Sequence, residues 1–234
     1  MKDNLGDRMK EYEGASSIKL TKRIPVVIRL DGKAFHTLTR GMDKPYDTEL
    51  MSVMQSTMKF LCKNIQGCKI GYTQSDEITL LLTDYDTLET DAWFGYKVQK
   101  MCSVAASIAT LEFNRQFRKT KYTQKYDMAM FDARVFNLPK EEVCNCFVWR
   151  QKDATRNAIQ LLGQSKFSQN QLNKKSCKDI QNMLIAEYGI NFSNERTDFR
   201  RGSCCYKVNG SWIVDTEIPA FTEDREFINR WVML

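Results

Sequence analysis

Residues 26–36 read VVIRLDGKAFH. The first five are mostly apolar and β-branched, which favours a buried strand running from about Pro25 to Leu30. Asp31 then lies where the strand ends, and Gly32 permits a tight turn that lets a phosphate approach the backbone. An Asp-Gly pair is also common in ordinary turns, so this stretch alone leaves a plain turn open.

A second stretch, residues 69–82, reads KIGYTQSDEITLLL. Apolar and β-branched flanks around Ser75, Asp76 and Glu77 predict two strands joined by a tight turn. If this hairpin lies beside the first strand, Asp76 comes close to Asp31. Two carboxylates at the ends of neighbouring strands suit two divalent ions that clamp a phosphoryl group in transfer. Because carboxylates repel each other, their proximity also implies a bound cation.

Composition sets wide bounds on function. The chain has 234 residues, which suits one large domain or a domain with an appendage, and its apolar content of 42% supports a sizeable core. A net charge of +6 permits a nucleic-acid partner, although an ordinary basic surface explains it equally well. No apolar run approaches the roughly 20 residues of a membrane span. The sequence therefore predicts no membrane partner.

The cysteines and the single histidine exclude few classes of site. There are eight cysteines without a C-x-x-C pair, and the charged N-terminus has no signal-peptide core, so reduced thiols in the cytoplasm are expected. A zinc cluster containing histidine, or a Ser-His-Asp triad, would have to use His36. Nothing else in the sequence favours either site.

The order of predicted elements indicates an α+β fold. Asp47 can cap a helix whose apolar face extends from Leu50 to Cys62. A long helix from Asp91 to Phe117 and a strand from Ala129 to Leu138 complete the order β-α-β-β-α-β, a ferredoxin-like sheet. We therefore expect a catalytic unit over residues 1–138.

Residues 139–234 are expected to form a helical and hairpin appendage packed on that unit. Pro139 starts a helix that runs beyond Arg150, and residues 163–175 are polar and predict a mobile connection. Ser176 and Asp179 form the pattern of a capping box, and Gly189 ends the helix that follows. The last element is a predicted hairpin that opens at residues 199–208 and closes with residues 212–214.

Two basic segments are candidates for binding phosphates. Residues 118–126 read RKTKYTQKY, and such a loop can grip phosphates and stack on bases, although charge runs often only solvate a surface. The second segment is the pair Arg200 and Arg201. The phosphate candidates in these segments are Arg118, Lys119, Lys121, Arg200 and Arg201.

Six short motifs follow one another along the chain. They are RLDGKAFH (29–36), KPYD (44–47), YTQSDE (72–77), FDAR (131–134), WRQ (149–151) and RRG (200–202). Each motif is weak alone, but together, in this order over residues 25–207, they resemble the tRNA(His) guanylyltransferase superfamily of 3′-to-5′ nucleotide-adding enzymes.

The resemblance implies a polymerase-like palm of the ferredoxin type with two Mg²⁺ ions. The ions would be held by Asp31, the carbonyl of Gly32 and Asp76, and the two aspartates would be the catalytic residues. On an extended strand Glu77 points away from Asp76, so we do not expect it to share the ions.

The resemblance also implies ATP, GTP or another nucleoside triphosphate as substrate. The residues implied to hold it are Gly32, Lys33, Ala34, Phe35, His36, Lys44, Ser75 and Arg29. Amides in a glycine-containing turn make an anion nest, which agrees with this assignment. An ordinary surface role stays open for Lys44, as does a merely packed or half-exposed imidazole for His36.

The implied partner is tRNA. Arg29, Arg134 and Asn157 would lie near nucleotide or RNA phosphates, and the two basic segments would hold the acceptor stem. Family members commonly form tetramers, so the resemblance implies a homotetramer, a dimer of dimers.

One segment departs from the eukaryotic pattern W-R-Q-x-x-x-H-I-N-x-x-Y. Thr155, Arg156 and Gln160 replace the His, Ile and Tyr, and only Asn157 remains. The chain is therefore more similar to the bacterial, archaeal and phage-type branch, which repairs 5′-truncated tRNA by templated 3′-to-5′ addition through 5′-adenylylation and nucleotidyl transfer. Three alternatives stay open: addition of the G-1 nucleotide to tRNA(His), a nucleotide cyclase, and a non-catalytic RNA-binding module.

Overall fold

The computed structural model describes residues 4–123 and 129–232, which form a mixed fold of helices and one antiparallel sheet. The strands are β1 Val26–Gly32, β2 Cys68–Gln74, β3 Glu77–Leu82, β4 Phe131–Asn137, β5 Ser203–Val208 and β6 Ser211–Asp215. Their order across the sheet is β4-β1-β3-β2-β5-β6, and every neighbouring pair is antiparallel.

The helices of the described residues differ widely in length. They are α1 Leu5–Gly14, α2 Phe35–Leu38, α3 Thr48–Asn64, α4 Val98–Phe117, α5 Lys140–Gln164, α6 Gln169–Leu172, α7 Cys177–Tyr188, α8 Thr197–Arg201 and α9 Glu226–Asn229. Short 3₁₀ turns occupy Trp93–Tyr96 and Phe192–Asn194. No helix in the described part of the chain is long and apolar enough to cross a membrane.

The sheet is covered on both faces, and alternation along β1 decides what each face carries. Val26, Ile28 and Leu30 are fully buried in the core that α3 and α4 make with the sheet. Arg29 and Asp31 lie on the opposite face, where α5 packs against Ile70, Tyr72 and Leu81 in a second core with α9. One strand therefore supplies both a packing face and a polar face.

Several predicted helix ends are confirmed. Oδ1 of Asp47 accepts hydrogen bonds from the amides of Glu49 and Leu50, both at 3.0 Å, which caps α3. Ser176 and Asp179 form the predicted capping box of α7, which ends at Gly189 with a φ of 65°. The sequence could predict these helix ends because capping involves only residues that are close along the chain.

Two predicted boundaries in the first half were wrong. β1 continues to Gly32 because Asp31 pairs with both Glu77 and Asp132 and extends the ladder. The long helix begins at Val98 rather than Asp91, because the backbone has positive φ at Phe94 and Gly95. Such angles cannot continue an α-helix.

Two predictions for the second half were also wrong. The polar stretch 163–175 is ordered: α5 reaches Gln164, and Ser168 caps α6. The two arginines do not open a hairpin, since they end α8, and β5 begins only at Ser203. Both predictions rested on polar composition. That composition does not distinguish a loop or hairpin from a short, capped surface helix.

The C-terminal residues join the sheet of the N-terminal ones. β5 pairs with β2, and β6 pairs with β5 at the sheet edge. The proposed boundary at residue 138 stays a prediction. Of the basic loop 118–126, Gln124, Lys125 and Tyr126 lie outside the described residues.

We expect Gly71→Ala to destabilise the fold. A Cβ at Gly71 would lie 2.6 Å from Sγ of Cys62 and 2.9 Å from Cγ of Met58, so α3 would have to shift away from β2. Overpacking of this kind costs about 1–3 kcal/mol of unfolding free energy, measurable as a lower urea midpoint. Gly14→Ala is the control, because nothing lies within 4 Å of its Cβ position. Equal midpoints for the two variants would contradict this packing.

Candidate functional site

The tight turn between β2 and β3 places Asp76 at the end of β1. Ser75 and Asp76 form the two-residue connection, and Ser75 has a φ of 49°, which bends the chain sharply. The amide of Gly32 donates to the carbonyl of Asp76 at 3.1 Å. The predicted approach of the hairpin to the first strand is therefore present.

Acidic side chains cluster at this point of the sheet. Asp31 lies directly opposite Glu77 on β3 and opposite Asp132 on β4, so the three side chains share one face. Burial raises the pKa of Asp76, and the negative charge of Asp31 raises it further. A hydrogen bond from Oγ of Ser75 at 3.1 Å opposes that rise only in part. The site thus concentrates negative charge that a cation would relieve.

The donor set of carboxylate and carbonyl oxygens fits Mg²⁺. Among the described residues no group of three or more His, Cys, Asp or Glu side chains could hold a metal ion by itself. Mg²⁺ usually takes one or two carboxylates and completes its shell with water and substrate phosphates. Asp31 and Asp76, with the Gly32 carbonyl, supply that kind of partial shell.

The turn after Asp31 offers fewer free groups for binding a nucleotide than the sequence predicted. The Gly32 amide is used by Asp76, and the Lys33 amide donates to the carbonyl of Met130 at 2.8 Å. The Phe35 ring is buried against Phe113 and Phe131, so its side chain is unavailable to a ligand.

The exposed members of this turn are the Lys33 side chain, Ala34 and His36. Ala34 has a φ of 56°, which directs the chain into the short helix α2. The charge of His36 acts to lower the pKa of Asp76, so the imidazole lies within electrostatic range of the acids.

A buried ion pair beside the acids escaped the sequence reading. Oε2 of Glu77 accepts from Nη1 of Arg150 at 2.9 Å, and Nη2 of Arg150 donates to Asp153 at 2.9 Å. Burial raises the pKa of Glu77, while the charge of Arg150 acts in the opposite direction. The Glu77 carboxylate is engaged by Arg150, and its exclusion from the metal site stays a prediction. The WRQ motif contained the signal, but its partner is 73 residues away in sequence.

A cavity of about 230 Å³ brings together predicted residues from three distant segments, Lys44, Ser75 and Asn157. Its wall is largely apolar, and its polar lining includes Gln55 and Asp198. The apolar lining consists of Met42, Pro45, Leu50, Met51, Met54, Ala154, Ala158, Leu161 and Phe199. The cavity is smaller than most small-molecule sites, so it suits one part of a ligand, such as a base.

The basic segment after α4 lies next to the loop that carries Lys44. Nζ of Lys121 is 2.7 Å from Oδ2 of Asp43, and the Lys121 amide donates to Glu49 at 2.9 Å. Lys119 donates to Gln116, within its own helix turn, and Arg118 is exposed at the helix end. This places residues 118–123 beside the cavity.

Arg29 and Arg134 share the face of the acids. They lie directly opposite each other on β1 and β4, and Nη2 of Arg134 is 3.5 Å from Asp132. Two like charges opposite each other favour an anion between them.

The predicted pair Arg200 and Arg201 lies elsewhere. Both line a second cavity, of about 330 Å³, together with Lys152 and Thr155 of α5. Nε of Arg200 donates to the carbonyl of Glu195 at 2.7 Å. Burial lowers the pKa of Arg200, and the charge of Arg201 lowers it further. Neither arginine lines the first cavity.

Comparison with known proteins gives a match to one family. The family model for tRNAHis guanylyltransferase matches residues 6–139, more than half of the chain. The chain belongs to the tRNA(His) guanylyltransferase family. Members of this guanylyltransferase family are nucleotidyltransferases, so the protein is an enzyme of that class.

Solved and curated relatives of the guanylyltransferase family cover most of the chain. A bacterial tRNA(His) guanylyltransferase-like protein in complex with ATP is 44% identical, with a TM-score of 0.95 over 99% of this chain and 100% of that one. A bacterial guanylyltransferase-like protein in complex with GTP is 40% identical, with a TM-score of 0.85 over the same shares. The tRNA(His) guanylyltransferase of Debaryomyces hansenii is 28% identical over 76% of this chain and 71% of its own length.

Proposed function

We propose that this enzyme adds a nucleotide to the 5′ end of a tRNA. The observation that carries the proposal is the approach of Asp76 to Asp31 at the ends of neighbouring strands, fixed by the bond from the Gly32 amide to the Asp76 carbonyl. The strand order β4-β1-β3-β2, with α3 and α4 on one face, supports a ferredoxin-type palm beneath these acids.

The acids would hold two Mg²⁺ ions, with the carbonyl of Gly32 as a further ligand. Bound there, the ions would lower the pKa of the attacking group and neutralise charge on the leaving group. In the first step a 5′-phosphate oxygen of the RNA attacks the α-phosphorus of ATP, and pyrophosphate leaves. In the second step the 3′-hydroxyl of the incoming nucleotide attacks the activated 5′ phosphate, its proton goes to solvent, and AMP leaves.

The nucleotide triphosphate would lie between the turn after Asp31 and the first cavity. Two solved relatives are complexes with ATP and with GTP, which supports both as substrates here. Lys44 and Ser75 would contact phosphates, and the apolar slot would receive a base. The exposed side chains of residues 33, 34 and 36 complete the cradle in this proposal.

The RNA would be held by separate basic surfaces. Arg29 and Arg134 lie beside the acids and would contact the 5′ phosphates, together with Asn157. The segment that contains Arg118, Lys119 and Lys121 would contact the stem near the first cavity. The second cavity, with Arg200 and Arg201, would grip a more distant phosphate.

Two reactions of this kind fit the chain. Relatives named tRNA(His) guanylyltransferase favour addition of the G-1 nucleotide to tRNA(His), and we take this as the first candidate. Templated repair of 5′-truncated tRNA is the second, favoured by the segment in which Thr155, Arg156 and Gln160 replace the eukaryotic residues. Oγ1 of Thr155 donates to the carbonyl of Arg200 at 2.9 Å, so this position ties α5 to α8.

A product-length assay separates the two candidates. The substrates are 5′-labelled monophosphorylated tRNA(His) lacking G-1 and a non-histidine tRNA lacking its first nucleotide, each with Mg²⁺, ATP and one nucleoside triphosphate at a time. Guanosine addition only to tRNA(His), whatever base stands opposite, establishes G-1 addition. Addition of only the complementary nucleotide to either tRNA establishes templated repair.

Absence of any addition would contradict the proposed function. A cyclic product from ATP or GTP without RNA would then indicate a nucleotide cyclase. Binding of RNA that persists in a metal chelator, without nucleotide consumption, would indicate a non-catalytic module.

Assembly and location stay predictions. Helix α1 has no buried residue and exposes Leu5, Met9 and Tyr12 along one side. In a tetramer, a neighbouring subunit would bury these side chains. The cytoplasm remains the expected location, given eight unpaired cysteines.

A further inference from the structure

Trp149 is the most exposed of the four tryptophans. Its exposed fraction is 50%, whereas Trp93 is buried and Trp212 and Trp231 are partly buried. A single exposed aromatic ring needs no explanation by itself. The residues around Trp149, however, indicate a specific role for this ring.

The ring of Trp149 lies beside two arginines, and one of them, Arg150, is itself fixed. Cζ of Arg150 lies 3.5 Å from the ring centroid, and that guanidinium is anchored by Glu77 and Asp153. Cζ of Arg29 lies 5.3 Å from the same centroid. The ring is therefore oriented before any ligand arrives, and positive charge surrounds it.

This platform stands beside the acids. Arg29 and Asp31 are two residues apart on one strand and share a face, so their Cα atoms are roughly 7 Å apart. That span is comparable to the distance from a nucleotide's phosphate to its own base. A 5′ phosphate at Asp31 and Asp76 would bring the base of the same nucleotide to Trp149.

In the proposed function, the incoming nucleoside triphosphate binds in the first cavity rather than at Trp149. Trp149 does not line the cavity that contains Lys44, Ser75 and Asn157. Asn157 is eight residues further along α5, roughly 12 Å from Trp149. The occupant of the platform is thus distinct from the base held in that cavity.

We propose that Trp149 is the platform on which the terminal base pair of the bound RNA stem stacks while Arg29 and Arg134 hold its phosphate. Aromatic rings bind bases of any sequence by stacking, and flanking arginines add phosphate contacts. This inference rests on the proposed function, since it names where the RNA end lies at the same site.

Tryptophan fluorescence tests the stack directly. The probe is a 5′-monophosphorylated RNA hairpin with a blunt stem, titrated into the full chain. We expect quenching of emission in the wild type and in Trp212→Phe, and loss of that quenching in Trp149→Phe. Trp212 is a matched control because it also lies near a cation, Lys207 at 5.3 Å, but on the outer strand β6. Quenching that persists in Trp149→Phe would overturn the proposal.

Turnover gives a second readout. Trp149→Leu should raise the KM for RNA roughly 10- to 100-fold and leave the KM for the nucleoside triphosphate unchanged, and Trp149→Phe should restore most of the loss. An unchanged KM for RNA in a folded Trp149→Leu would overturn the stack. If the wild type adds no nucleotide, the proposed function fails, while the fluorescence result still decides whether RNA stacks on Trp149.

Discussion

Asp31→Asn and Asp76→Asn are each expected to reduce nucleotide addition by roughly 10³-fold or more. Either change removes one of the two carboxylates that the turn brings together, and an amide cannot replace a carboxylate as an Mg²⁺ ligand of equal charge. Both activation and transfer should be lost, because one site serves both steps in the proposed reaction. The measurement is single-turnover product formation on labelled tRNA.

Folding should survive these two changes. Asp31 faces Glu77 and Asp132 across the sheet, and removal of one charge relieves repulsion among them. We therefore expect an equal or higher melting temperature in metal-free buffer. Asp132→Asn is the control, since its carboxylate is on the same face but exposed and near Arg134. Near-normal turnover in either Asp31→Asn or Asp76→Asn would contradict the assignment of two metal ions to these aspartates.

Arg150→Ala should be the most destabilising single change near the site. The side chain of Arg150 is only 6% exposed and that of Glu77 only 12%, so the change leaves a buried carboxylate without its partner. Breaking such a pair costs roughly 3–5 kcal/mol. For a chain of this size, that corresponds to a melting temperature lower by about 6–20 °C. Calorimetry or thermal circular dichroism measures it.

A double variant separates the lost pair from lost packing. Arg150→Met with Glu77→Gln removes both charges and keeps most of the volume, so it should recover much of the stability. If the double variant is as unstable as Arg150→Ala, the stability comes from packing of the arginine rather than from the buried charge pair. Oε1 of Glu77 and Nε of Arg150 are buried without a hydrogen-bond partner in the described structure, which makes the pair sensitive to either change.

The sequence predicted the parts of the fold that depend on neighbours along the chain. The β2–β3 hairpin followed from β-rich flanks and a two-residue turn, and the cap at Asp47 followed from one side chain and the two amides after it. Even the approach of Asp76 to Asp31 was accessible, because hairpins commonly pair with a preceding strand.

The remaining features depend on contacts between distant segments. Nothing near Glu77 indicates that Arg150 will bind it, and nothing near Thr155 indicates a bond to the carbonyl of Arg200. The break at Phe94 and Gly95 was hidden because Phe94 has helical spacing from Val98 and the apolar residues that follow it. The burial of the Phe35 ring against Phe113 and Phe131 also joins distant segments, and the role of its turn in holding a nucleotide stays a prediction.

Under the proposed function, the cavity beside the acids sets the earliest point in synthesis at which the enzyme can bind its nucleotide. Its wall joins the loop around Asp47, the turn at Ser75, the middle of α5, and finally Ser203. A nascent chain therefore has no complete binding pocket until nearly nine tenths of it has been translated. At typical ribosome speeds the interval between the first and last of these segments is about 8–30 s. From the translation of Asp76 until that of Ser203, the growing polypeptide carries both aspartates but cannot yet form the pocket in which a nucleotide would bind beside them.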